Sequence, residues 1–152
     1  MRECPYAIEA LLMHRPPMLL LERVVGYQEG HLVARATVDE SSLFLTPQGV
    51  PGHIAIEYMA QACAAYAGIT ALEAGEPVKI GFLIGARECR VLRPWFRLGD
   101  QLLISASIVF LDEQMAVFDC NVEINGQLAA DARLSVYQPD GDSLASMRTG
   151  EG

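Results

Sequence analysis

Positive charge is scarce in this chain. Eleven Lys and Arg stand against 19 Asp and Glu, a formal net charge of -8 with a pI near 4.8. Non-specific nucleic-acid binding needs the opposite balance, because phosphates are neutralised by a surplus of Lys and Arg. No apolar run approaches the ~20 residues of a bilayer span, so a soluble protein is expected. The N-terminal stretch MRECPYAIEALLMHRPP carries Glu3 and Glu9 and lacks the continuous apolar core of a secretory signal. A cytoplasmic location is therefore expected. Cys4, Cys63, Cys89 and Cys120 include no C-x-x-C pair, which argues against a zinc ribbon or a redox motif. They read as reduced thiols, and neither a metal nor a cofactor is expected. Repeats and low-complexity blocks are absent as well.

What is present is apolar and patterned. A chain of 152 residues, 51% of them hydrophobic, fits one domain that buries roughly 70% of its unfolded surface. The expectation is a single domain over residues 1–138 and a flexible tail over 139–152. YAIEALLM has helical spacing and stops at HRPP, where two prolines forbid continuation. MLLLERVVGYQ is rich in β-formers, and HLVARATVD puts Leu32, Ala34, Ala36 and Val38 on one face. KIGFLIGARECRVL reads as a further strand, with a break at Pro94 and Gly99-Asp100 before QLLISASIVF. MAVFDCNVEI sends Ala116, Phe118, Cys120, Val122 and Ile124 inward, and Asn125-Gly126 is a two-residue hairpin signal before LAADARLSVY. The pattern predicts an α+β fold: an antiparallel sheet of five to seven strands wrapped around one long helix, residues 53–72, since no other element is apolar and long enough to cover a sheet.

That helix lies in VPGHIAIEYMAQACAAYAG, and a helix apolar nearly all round is a buried one. Its polar residues therefore carry information. At 100° per residue His53, Glu57, Gln61, Ala64 and Gly68 fall within a wedge of about 80°. The stripe is polar at one end and small at the other, as a slot with chemistry at its head and room for a chain behind would be. Glu57 is either a solvated helix carboxylate or a general acid whose pKa an apolar site would raise. Gln61 either orients Glu57 or touches substrate. His53, four residues before Glu57, is either a solvent-facing residue of the first turn or a base sharing the acid's face. Unpaired N–H groups around Gly52 and His53 could receive a developing oxyanion. His14 reads as structural and His31 as incidental. Arg87, Arg90, Arg93 and Arg97 cluster in GARECRVLRPWFR, either as solvated strand positions or as a basic rim for an anionic ligand or an acidic partner.

LLMHRPPMLLLERVV, VPGHIAIEYMAQACA and IGARECRVLRPWFRLGDQLLI, spread over residues 11–110, together resemble the FabZ-type 3-hydroxyacyl-acyl carrier protein dehydratases. The HRPP form is most similar to their ApeP-like branch, associated with aryl-polyene clusters. The resemblance implies the hotdog fold, a homodimer or a heterodimer with another hotdog subunit, an acyl tunnel at the subunit interface, and a substrate held on the phosphopantetheine arm of an acyl carrier protein. It further implies that Glu57 is the family's helix acid, that Gln61 is its amide one turn on, and that Gly52 is its helix-start glycine; the small end of the stripe, Ala64 and Gly68, is then expected to bind the substrate's chain. Arg87, Arg90, Arg93 and Arg97 would then meet the carrier. The family's strand histidine has Leu43 in its place, which moves the search for a base to His53. Dehydration of a carrier-bound thioester is the activity this implies. A hotdog thioesterase, in which Glu57 activates water, and a non-catalytic subunit that pairs with an active dehydratase are the alternatives.

Overall fold

The computed structural model describes residues 1–79 and 81–138, so the expected tail lies outside the described residues. A short helix α1 (Ile8–Leu11) leads through the HRPP segment into β1 (Arg23–Gln28) and β2 (His31–Thr37). After β3 (Val50–Pro51) and one 3-10 turn (Gly52–Ile54) comes α2 (Ala55–Glu73), followed by β4 (Phe82–Val91), β5 (Trp95–Phe96), β6 (Gln101–Leu111), β7 (Met115–Ile124) and β8 (Gln127–Tyr137). Six strands form one antiparallel sheet in the order β1-β2-β6-β7-β8-β4, and β3 pairs with β5 in a separate two-stranded ribbon. This is the expected hotdog arrangement of one antiparallel sheet and one long helix.

Period-2 patterning decides which side of the sheet the helix takes. Leu32, Ala34 and Ala36 of β2, Leu102, Ile104 and Ala106 of β6, Phe118, Cys120, Val122 and Ile124 of β7, and Ala130, Ala132 and Leu134 of β8 are all buried. Most of their neighbours in sequence are half-buried or exposed, as alternation requires, with Ala129 beside Ala130 the exception. The Asn125-Gly126 turn has both residues at positive φ (53° and 76°), the conformation that a two-residue hairpin of this twist demands. Against this face α2 buries Tyr58, Met59, Ala62, Cys63, Ala65 and Ile69. The Sγ atoms of Cys63 and Cys120 meet at 3.5 Å where helix and sheet touch.

Two features differ from the half-buried sheet expected over its whole width. β4 pairs on one side only, with β8, and is exposed along nearly its full length. Phe82, Leu83, Ile84, Val91 and Leu92 all stand in solvent, because α2 packs chiefly on β2, β6, β7 and β8. Trp95–Phe96, read as part of a break, pairs with Val50–Pro51 and so fastens the start of α2 to the chain beyond β4. Phe96 is fully buried there.

Candidate functional site

The start of α2 is held by backbone. The Gly52 N–H donates to the Pro94 carbonyl at 2.8 Å, and a Cβ on residue 52 would collide with the Arg93 carbonyl oxygen. Glycine is required by this close approach. The same bond corrects the expectation that the Gly52 N–H could receive a substrate oxygen, since it already has an acceptor. The His53 N–H comes next in the unpaired start of the 3-10 turn, and the His53 side chain is exposed. One turn on, Glu57 is half-buried in the first turn of α2. Among the described residues its carboxylate joins no ion pair or side-chain hydrogen bond, including with His53.

The rest of the 53/57/61/64/68 stripe splits into two uses. Gln61, 2% exposed, donates from Nε2 to the Met18 carbonyl at 2.8 Å and accepts from the Leu20 N–H at 2.9 Å. Its amide bonds neither Glu57 nor open space, so the expected substrate contact gives way to a strut holding the HRPP-to-β1 segment. Gly68 likewise serves packing, because a Cβ there would strike the Leu11 carbonyl oxygen of α1. Ala64 differs. It lines a cavity of about 290 Å³ between the C-terminal half of α2 and the β6–β8 end of the sheet, with Ala67, Ala71, Ile108, Met115 and Phe118 among the other walls. Ala67 and Ala71 were missed because alanine on an apolar helix gives no signal of what faces it.

The arginines divide as well. Arg90 forms a two-point ion pair with Asp131, its Nε 3.0 Å from Oδ1. Hydrogen bonding from Arg90 holds the Asp131 carboxyl below the usual carboxylate range. Arg93 lies 3.7 Å from Asp100, whose carboxylate also accepts the Arg97 backbone N–H at 2.8 Å. Among the described residues the side chains of Arg87 and Arg97 make no ion pair. Of the four expected carrier-facing cations, two are therefore already paired within the chain.

Leu43 sits 37% exposed in the loop that precedes β3. Asp39, where this loop begins, takes hydrogen bonds from the Ser41 hydroxyl and backbone N–H, and these lower its pKa. The Tyr58 ring meets Phe96 edge-on, with centroids 6.3 Å apart. Burial first, and then the charge of Asp39, push the Tyr58 hydroxyl up to about 12. It is a neutral phenol at any physiological pH. No imidazole occupies this loop.

Residues 6–148 match the family described as ApeP-like, ApeP dehydratase. The FabZ 3-hydroxyacyl-[acyl-carrier-protein] dehydratase of Halorhodospira halophila is 30% identical over 130 residues, covering 82% of this chain and 84% of its own. That of Shewanella woodyi is 32% identical over 135 residues, with 84% and 86% covered. Among solved structures, the dehydratase heterocomplex ApeI:P from Xenorhabdus doucetiae aligns with a TM-score of 0.89 and 31% identity, over 95% of this chain and 98% of that one. A hypothetical thioesterase from Streptococcus pneumoniae aligns with a TM-score of 0.58 at 18% identity, over 77% of this chain and 84% of its own, and shares the fold alone.

Proposed function

The chain belongs to the ApeP-like dehydratase family, and on that premise we propose that it removes water from 3-hydroxyacyl thioesters carried by an acyl carrier protein. In that reaction a base takes a proton from C2, the C3–O bond breaks as an acid protonates the leaving hydroxyl, and a C2–C3 double bond forms in conjugation with the thioester. Glu57 is the acid and His53 the base, with the His53 N–H directed at the thioester oxygen. Acid–base groups of this kind contribute typically 10² to 10⁴ each, and one oxyanion donor about 10² to 10³.

Glu57 carries this reading: a half-buried carboxylate in the first turn of α2, without an ion pair or side-chain hydrogen bond among the described residues, at the position the sequence resemblance implies for a helix acid. The thioesterase alternative has weaker support, because the thioesterase relative shares only the fold. A second hotdog subunit belongs to the proposal. Gly52 packs close to Val91 at the end of β4, so a partner strand laid on the exposed Phe82–Leu92 edge would also cover His53 and Glu57 and dry the site. A related structure is itself a dehydratase heterocomplex. The test is an assay of the full chain on carrier-bound 3-hydroxyacyl substrate, alone and mixed with a second dehydratase-type hotdog chain. The 2-enoyl product is expected in at least the mixture. Release of free acid would support a thioesterase instead, and no product in either case would defeat the proposal.

A further inference from the structure

We propose that Asp100 is a positioning residue for the dehydration site, acting on the start of α2 through the segment Arg93–Phe96. This rests on the dehydratase reading. The Asp100 carboxylate brackets β5 from both flanks. Its Oδ2 accepts the Arg97 N–H at 2.8 Å just after the strand and lies 3.7 Å from the Arg93 guanidinium before it. Asp100 is itself tied down, because its carbonyl accepts the Val38 N–H at 2.9 Å and the neighbouring Gly99 N–H donates to the Val38 carbonyl at 2.8 Å. The clamp therefore stands on Val38, a buried residue directly after β2.

What the clamp holds is a cradle for the first turns of α2. Trp95 and Phe96 pair with Pro51 and Val50, the Pro94 carbonyl accepts the Gly52 N–H, and the Phe96 ring meets Tyr58 edge-on. Gly52 precedes His53 and Tyr58 follows Glu57, so each proposed site residue is next in sequence to one the cradle holds. Neither Pro51 nor Ile54 supplies a side-chain cap, which leaves the cradle to fix the helix entry. The two contacts of Asp100 are unequal. A backbone N–H donating to a carboxylate is charge-assisted and directional, whereas an ion pair at 3.7 Å between side chains 34% and 18% exposed contributes little. Losing the Arg97 bond frees Pro94–Phe96 to shift, and misplacing reacting groups by about 1 Å costs up to about 10² in rate.

The test compares Asp100→Ala and Asp100→Asn in the full chain in its assembled form. Asparagine keeps an oxygen for the Arg97 N–H and gives up only the ion pair. Hydrogen exchange of the Gly52 amide and the fluorescence of Trp95, the chain's single tryptophan, read the cradle without any substrate. In the alanine variant the Gly52 amide is expected to exchange at least about tenfold faster and the Trp95 emission to shift. Its kcat on carrier-bound 3-hydroxyacyl substrate should fall at least about tenfold with KM little changed. Asparagine should bring exchange and kcat back to within about threefold of wild type. A purely structural role would lower the melting temperature and spare the kcat of the folded protein. The inference is overturned if the alanine variant matches wild type in Gly52 exchange and Trp95 emission, if its kcat is unchanged despite a loosened cradle, or if asparagine restores neither. Faster exchange in alanine, restored by asparagine, in a wild-type protein that dehydrates nothing removes the dehydratase reading and leaves Asp100 as the clamp of the helix start.

Discussion

Gln61 shows how one side chain can mimic a site residue. It is a buried amide one turn from an unpaired acid, and both of its polar ends go to the backbone of Met18 and Leu20. Gln61→Leu keeps the volume and strips a carbonyl and an N–H of their partner. That should cost about 1–3 kcal/mol, since unsatisfied groups carry their desolvation penalty. A thermal melt should fall by several degrees with KM for the carrier substrate little changed; an unaltered melt with a raised KM would return Gln61 to the substrate. Glu57 was legible in the sequence because a charge in an otherwise apolar helix is conspicuous. Gly68 was legible as small and not as packed: a missing side chain looks the same whether a ligand or the Leu11 carbonyl fills the space.

At the scale of elements, alternation in β2, β6, β7 and β8 and the Asn125-Gly126 turn made the sheet readable, because each reports a local rule of backbone geometry. The position of β4 did not follow from such rules. FLIGARECRV opens on Phe82, Leu83 and Ile84 as a covered strand might, yet the strand sits at the sheet edge with one neighbour and two register shifts, one beside Glu88 at φ 52°. Apolar residues at an uncovered edge are stable only when another strand takes them. Ile84, 56% exposed, is a direct probe of that contact. Ile84→Lys should leave the fold intact and shift the protein toward monomer in sedimentation or light scattering. Unchanged mass with the substitution would count against a partner strand at this edge.

For the molecule as a whole, net charge of -8 would repel an acidic carrier unless a local surplus of cations received it. Two of the four clustered arginines are neutralised by Asp131 and Asp100, which leaves Arg87 and Arg97 as the available charges. Reversing both to Glu should weaken carrier binding several-fold at low salt and much less at high salt, as screening requires. Equal loss at both ionic strengths would point to damaged structure. The pairing of Arg90 with Asp131, 41 positions apart, is a long-range fact that no local pattern announces. The central claim concerns Glu57, and the most direct measurement is kcat for Glu57→Gln in the assembled protein on a carrier-bound 3-hydroxyacyl substrate. The amide keeps the shape and cannot donate the proton in the same way. A fall of at least about 10² in kcat is predicted, with KM little changed; a rate within about twofold of wild type would contradict the account.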